Sequence, residues 1–368
     1  MKALLVVGTR PNFMKIAPLY RAMHGSAEFD PVLVDTGQHF DHEMSGAFLE
    51  VLQLPEPDYR LQIGPGTQAQ QIAAVMTALE PVLEHVGPDV TVVVGDVSST
   101  LAAALASDIL SVPVAHVEAG LRSRNWAMPE ERNRVLTDRL SKWLFTPSAD
   151  ANDNLAAEGI TPQRIHLVGN VMIDSLEWVL PHLDPEKARA RHGVSDGPYG
   201  LVTLHRPANV DDHLVLGGLV QALREVSEAI PLVFPVHPRT QQRLVQHFGF
   251  PEPDEGLGSS RLRLVSPLDY LEFIALLSQA SLVLTDSGGI QEEATVLGVP
   301  CLTTRNETER PVTLADGANE VVGIEPARIV EAAQRRLAGR KRRASRPPLW
   351  DGRSAERIVE VLHGGEPS

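Results

Sequence analysis

Ser281-Leu282-Val283-Leu284-Thr285-Asp286-Ser287-Gly288-Gly289-Ile290-Gln291-Glu292-Glu293 is the stretch on which the fold turns. Leu282–Leu284 is a short apolar run between polar residues, the pattern of a strand covered on both faces. The run gives way to Thr285-Asp286-Ser287, two glycines follow, and a helical pattern begins. The glycines let backbone approach a ligand closely, and the N–H groups and positive dipole of the helix start suit a phosphate. Glu293, a turn or more inside that helix, could reach back to ribose hydroxyls. Taken alone, the glutamates complement the helix dipole and Ser287 caps the helix. The whole string from Thr285 to Glu293 favours a nucleotide site.

The same strand-then-helix unit recurs along the chain. Apolar runs predict strands over Leu4–Val7, Val32–Val34, Val90–Val94, Val112–Ala115, Ile165–Val168, Leu201–Leu204, Leu232–Val236, Leu262–Val265, Leu282–Leu284 and Pro300–Thr303. Helical spacing predicts helices over Lys15–Met23, Ala69–Leu83, Pro129–Trp143, Leu214–Ile230, Tyr270–Ala280 and Ala327–Leu337, with a last short one over Ser354–Leu362. Regular alternation of this kind specifies doubly wound parallel sheets. The pattern fills once before about residue 170, pauses at Leu180-Pro181-His182-Leu183-Asp184-Pro185, and begins again near Tyr199. The expectation is an α/β chain of two Rossmann-like domains facing a cleft. Residues 1–172 with 350–368 form the first domain and 173–349 the second. Ligands of such sheets bind outside the carboxyl ends of the strands.

Polar residues gather at those ends. Gly8-Thr9-Arg10-Pro11-Asn12 follows the first strand, with Lys15 in the next turn; Thr36-Gly37-Gln38-His39 follows the second. Gly95-Asp96, His116-Val117-Glu118-Ala119-Gly120, His205-Arg206 and His237-Pro238-Arg239 repeat the arrangement. A charge directly after an apolar strand, as at Asp96 and Glu118, is costly unless it is paired or used. Burial of that kind raises carboxylates toward the range useful for proton transfer. Glu130 and Glu131 open a helix behind Pro129, where they serve either the dipole or chemistry. Arg10, Arg122, Arg134, Arg206 and Arg310 are cation candidates for a pyrophosphate, and His205 is the histidine best placed for chemistry.

Composition narrows the partners. The 368 residues are 43% hydrophobic and 22% charged, enough for two cores. Lys+Arg 33 against Asp+Glu 47 gives a formal net charge of -14, which argues against nucleic acid or an anionic membrane as the main partner. The single cysteine, Cys301, removes any intramolecular disulfide and reads as a small buried hydrophobe. No metal-ligand spacing and no dinucleotide or P-loop fingerprint occurs, so neither a metal nor another cofactor is expected. No run reaches the roughly 18 apolar residues of a membrane span, and the start lacks the form of a signal peptide, so a cytoplasmic location is expected.

Together these strings resemble the non-hydrolysing UDP-N-acetylglucosamine 2-epimerase family over nearly the whole chain. The resemblance is carried by Gly8-Thr9-Arg10-Pro11, Thr36-Gly37-Gln38-His39, Gly95-Asp96, His116 through Arg122, Pro129 through Arg134, Gly169-Asn170, His205-Arg206, Thr285 through Glu293 and Thr308-Glu309-Arg310-Pro311. It implies a GT-B-like pair of domains and epimerisation at C2 of a UDP-amino sugar by elimination and re-addition of UDP. It also implies that Asp96, Glu118, Glu130 and His205 are catalytic. Arg10, Lys15, Ser287, Gly288, Gly289, Glu293 and Arg310 would contact the UDP-sugar, with Phe273 near the uracil. A homodimer and a second UDP-N-acetylglucosamine, bound as an activator near Gln38 and His39, belong to the same expectation. Two positions depart from many family members: Asn12-Phe13-Met14 stands for Glu-Ala-Ile, and Ala208 for an acidic residue. Both flank the sugar end of the expected site, so a 2,3-diacetamido or uronic relative of the sugar stays open. A hydrolysing epimerase, a GT-B glycosyltransferase and a non-catalytic UDP-sugar sensor are the rival readings.

Overall fold

The apolar runs become parallel strands, and the sheet order explains why the polar turns gather. The computed structural model describes residues 1–37, 50–254, 261–315, 319–339 and 346–364. The chain divides into two compact units, Met1–Trp178 with Pro348–Ser368, and Val179–Pro347, against boundaries expected from sequence at 172/173 and 349/350.

The first unit holds a seven-stranded sheet of order β3-β2-β1-β4-β5-β6-β7. Its strands are β1 (Lys2–Val7), β2 (Asp30–Asp35), β3 (Tyr59–Arg60), β4 (Val90–Val94), β5 (Val114–Val117), β6 (Trp143–Thr146) and β7 (Ile165–Leu167). Every pairing is parallel. All of β4 and all but the first residue of β1 are buried, as a sheet covered on both faces requires. The order reverses between β1 and β4, which opens a crevice beyond their carboxyl ends. Helix α1 (Arg10–His24) leaves β1 through Gly8-Thr9, α2 (Gln68–Val86) precedes β4, α3 (Ser98–Ile109) leaves it, and α4 (Pro129–Leu140) precedes β6.

The second unit repeats the plan with a six-stranded parallel sheet of order β10-β9-β8-β11-β12-β13. These strands are β8 (Gly200–Thr203), β9 (Leu232–Pro235), β10 (Leu262–Val265), β11 (Leu282–Thr285), β12 (Cys301–Thr303) and β13 (Asn319–Val321). Its order reverses between β8 and β11. Both units are therefore doubly wound and Rossmann-like, the paired-domain α/β class of GT-B-like proteins.

Some expectations needed correction. The helix expected to run to Trp143 stops at Leu140, and Trp143 starts β6. The Ser141 hydroxyl donates to the Thr137 carbonyl, which closes the last turn. Strand β5 lies two residues later than expected, so His116 is inside it and wholly buried. Strands β3 and β13 escaped notice because two or three residues carry no readable periodicity. Cys301 is buried in β12, where burial pushes its thiol up to about 12. Among the described residues no helix is long and apolar enough to cross a membrane.

Candidate functional site

In the first unit the residues after β1, β4 and β5 converge. Gly95 follows β4 with φ +68, a conformation that costs other residues strain. A Cβ there would lie 2.9 Å from Lys15 Nζ and 3.8 Å from Glu118 Oε2. Lys15 and Glu118 form an ion pair with side chains 11% and 4% exposed. Glu118 is also a non-glycine residue at φ 71, held there by Glu118 and Ala119 N–H bonds to the Phe145 carbonyl, each 3.0 Å. Such strain, worth roughly 1–3 kcal/mol, clusters at functional positions.

Asp96 pairs with Arg134 of α4, and its own backbone carbonyl accepts from Asn133 Nδ2 at 2.8 Å. Arg134 also holds Glu131 at 2.9 Å, so this cation is committed to carboxylates of its own unit. Glu131 in turn accepts from the backbone N–H groups of Ser123 and Arg124 and pins the loop ahead of α4. Glu131 is therefore structural. Its neighbour Glu130 is half-buried and has no ion-pair or hydrogen-bond partner among the described residues.

His116 underpins the Gly95 turn. Its Nε2 lies 2.8 Å from the Gly95 carbonyl and its Nδ1 2.6 Å from Asp138, which Arg122 also binds at 2.7 Å. Burial would raise the Asp138 carboxyl, but His116 and Arg122 outweigh it and hold the group below its ordinary value. Asn12, at one of the positions that depart from the family, is turned toward the fold. Its Oδ1 accepts from Thr9 N–H at 3.1 Å and its Nδ2 donates to the Val94 carbonyl at 3.0 Å, which ties β1 to β4.

In the second unit, β8 and β11 place His205, Arg206 and Asp286 side by side. Asp286 is fully buried and binds the His205 ring at 2.8 Å. It also accepts from the backbone N–H groups of His205 and Arg206, each 3.0 Å, and from Asn209 at 3.1 Å. Helix α8 (Pro207–Val210) thus presents Asn209 inward and leaves Ala208 exposed. Helix α12 (Gly288–Leu297) starts beside this carboxylate. Ser287 occupies the cap position, and its side chain makes no capping bond to the first turn. Arginines surround that turn. Arg310 binds Glu292 and Glu309 at 2.6 Å each, Arg305 binds Glu309 at 2.9 Å, and Arg206 Nε donates to the Asp286 carbonyl at 2.9 Å. Arg206 Nη2 also lies 3.5 Å from Glu309, so three guanidiniums share two glutamates. Burial, with Arg305 adjacent, pushes the Arg206 guanidinium below its usual value. The arrangement suits a polyanion at the α12 start.

Phe273 lies half-buried on α11 (Tyr270–Gln279), and Glu293 lies inside α12, buried against Tyr270. Arg10 opens α1. Gln38 and His39, and with them the expected activator site, lie outside the described residues. Among the described residues no cluster of side chains could hold a metal ion.

The sequence between residues 21 and 363 matches the family model described as UDP-N-acetylglucosamine 2-epimerase. The chain belongs to this epimerase family. The UDP-N-acetylglucosamine 2-epimerase of Methanocaldococcus jannaschii is 41% identical over 371 residues, covering 100% of both chains. The UDP-2,3-diacetamido-2,3-dideoxy-D-glucuronate 2-epimerase of Pseudomonas aeruginosa is 40% identical over 366 residues, covering 98% of this chain and 99% of its own. The crystal structure of the M. jannaschii enzyme in complex with UDP-GlcNAc and UDP superposes with a TM-score of 0.89 at 40% identity, covering 99% and 100% of the two chains.

Sequence reasoning toward this epimerase family overlooked Asp286, Asn209, Asn133 and Tyr270 as site residues. Asp286 stood in the most readable string of the chain, and the cost of burying a charge at a strand end was the signal. Tyr270 had a weaker one, its spacing of three residues from Phe273 on a predicted helix.

Proposed function

We propose that the chain interconverts the C2 epimers of a UDP-linked 2-acetamido sugar, with UDP-N-acetylglucosamine and UDP-N-acetylmannosamine as the primary pair. A base takes the C2 proton as the C1–oxygen bond to UDP breaks, which gives a 2-acetamidoglucal. A proton returns to the other face of C2, and a UDP oxygen re-forms the bond to C1. Two acid/base groups are needed, and Asp96, Glu118 and Glu130 supply the carboxylates, with His205 as a further proton carrier. The arginines and open N–H groups at the α12 start stabilise the charge on departing UDP without reorganising. Ser287, Gly288, Gly289 and Arg310 hold its phosphates, Glu293 its ribose, and Phe273 flanks its uracil.

The observation that carries this reading is Glu118: a buried carboxylate on strained backbone, neutralised by Lys15, beside the Gly95-Asp96 turn. Incubation with UDP-N-acetylglucosamine in deuterated water tests it. Deuterium at C2 of UDP-N-acetylmannosamine, followed by NMR, is the expected outcome. Free N-acetylmannosamine would select the hydrolysing reaction, and no exchange at C2 would remove the epimerase reading. The P. aeruginosa relative and the exposed Ala208 support one variation, a diacetamido or uronic substrate, so both sugars belong in the same assay. The same proposal includes a homodimer and activation by a second UDP-N-acetylglucosamine near Gln38 and His39. Sedimentation and substrate-saturation curves test these, and a monomer or a hyperbolic curve overturns them.

A further inference from the structure

Two adjacent glutamates of α12 are treated very differently. Glu292 is neutralised by Arg310 at 2.6 Å. Glu293 is 3% exposed and has no cation beside it among the described residues. Its carboxyl is met instead by the Tyr270 hydroxyl, which donates to Oε1 at 2.8 Å. A glutamate is almost never fully buried unless a counter-charge pairs with it, so one buried without a cation calls for a use. Burial pushes Glu293 up to about 8, the Tyr270 bond opposing this and Glu292 adding to it. Tyr270 opens α11, and Phe273 lies one turn further along the same face. The hydroxyl of one residue and the ring of the other therefore border the same strip of α11.

We propose that Tyr270 is a positioning residue for the nucleoside: its hydroxyl fixes one oxygen of Glu293 so that the other meets the vicinal hydroxyls of a ribose, and the pair selects ribonucleotides over 2′-deoxyribonucleotides. This deepens the proposed function and rests on the reading of Thr285 to Glu293 as the nucleotide site. The chemistry is specific. A buried polar group built to bind a hydroxyl is left unpaired by the analogue that lacks it, so discrimination follows. A carboxyl free to rotate would meet water or its own helix instead, and the preference would weaken. Tyr270 thus acts through Glu293, while the ring of Phe273 reads the base.

Calorimetry with UDP and 2′-deoxy-UDP on the full chain tests the proposal, using the unmodified protein, Tyr270→Phe and Glu293→Ala. The unmodified protein should favour UDP by about tenfold or more, and Glu293→Ala should abolish that preference. Tyr270→Phe, which removes one oxygen and keeps the ring, should weaken UDP by about three- to tenfold and 2′-deoxy-UDP by less than about twofold. A general loss of folding or packing would lower both affinities together, so an equal loss overturns the positioning role. An unchanged ratio in Tyr270→Phe, with the preference lost in Glu293→Ala, also overturns it and leaves the ribose reading standing. A preference that survives Glu293→Ala, or none in the unmodified protein, removes the ribose reading and the proposal together.

Discussion

His205 is bound to Asp286 twice, through its ring nitrogen Nδ1 at 2.8 Å and through its own backbone N–H at 3.0 Å. The carboxylate follows β11, the histidine follows β8, and these strands are neighbours at the point where the sheet order reverses. Burial alone would raise the Asp286 carboxyl, yet the His205 ring and the two backbone N–H groups hold it below its ordinary value. A carboxylate charged in this way fixes the ring orientation, while the His205 side chain stays 51% exposed and available to a ligand.

Asp286→Asn should therefore lower turnover by about 10²-fold, within the range for acid/base groups, because the amide no longer offers a charged acceptor to the ring. His205→Asn should cost about as much, and the double variant little more, since the two act as a unit. Steady-state turnover of UDP-N-acetylglucosamine measures all three. Additive losses in the double variant would show that the pair does not function together.

Glu130→Gln gives the cleanest separation of chemistry from stability. With no partner among the described residues to strand, it should change unfolding free energy by less than about 0.5 kcal/mol, yet reduce turnover by about 10²–10⁴-fold. Glu118→Gln should lose activity on the same scale and also stability, by about 3 kcal/mol, because Lys15 is left as an uncompensated buried charge. Chemical denaturation read beside the activity assay distinguishes the two. Near-normal turnover in Glu130→Gln would remove this residue from the catalytic set.

At Gly288 a Cβ would lie 2.4 Å from Arg310 Nη1 and 3.1 Å from Glu309 Oε1. Gly288→Ala should push the guanidinium away from the α12 start, where it is otherwise held by Glu292 and Glu309. The expected loss in UDP affinity is about tenfold, equivalent to one charge-assisted hydrogen bond. Isothermal calorimetry with UDP checks it. Undiminished affinity would place the phosphates elsewhere.

Asp174 sets a pH dependence of stability. It caps the helix Ser354–Leu362, accepting from the Ser354 and Ala355 N–H groups at 3.1 and 2.7 Å. Burial dominates those bonds and raises the carboxyl to about 6. Unfolded, it titrates near the ordinary value of about 3.9. Between these values the folded chain holds a proton that the unfolded chain has released. The group's stabilising contribution is therefore complete below about pH 4 and lost as pH rises through about 6, on the order of 3 kcal/mol in all. Asp174→Asn does not titrate, so its Tm minus that of the unmodified protein should become more positive from pH 4 to pH 7. A difference that stays constant across this range would contradict the assignment.

The sequence by itself determined the two parallel sheets and the polar turns at the carboxyl ends of their strands. Buried parallel strands need continuous apolar runs, and runs such as Val90–Val94 and Leu282–Leu284 are local signals that survive without a partner. Gly95 was legible for the same reason, because a tight turn after a strand restricts the residue that makes it. Strand β6 was lost because Trp143-Leu144-Phe145-Thr146 continues directly from a helical pattern, and its strand character comes from lying between β5 and β7. What only the tertiary structure decided was which charge meets which. Lys15 neutralises Glu118, Arg134 neutralises Asp96, Asp286 holds a histidine 81 residues away, and Tyr270 holds Glu293. No periodicity encodes such pairs, because they arise only when the folded sheets bring strand ends and helices distant in sequence side by side.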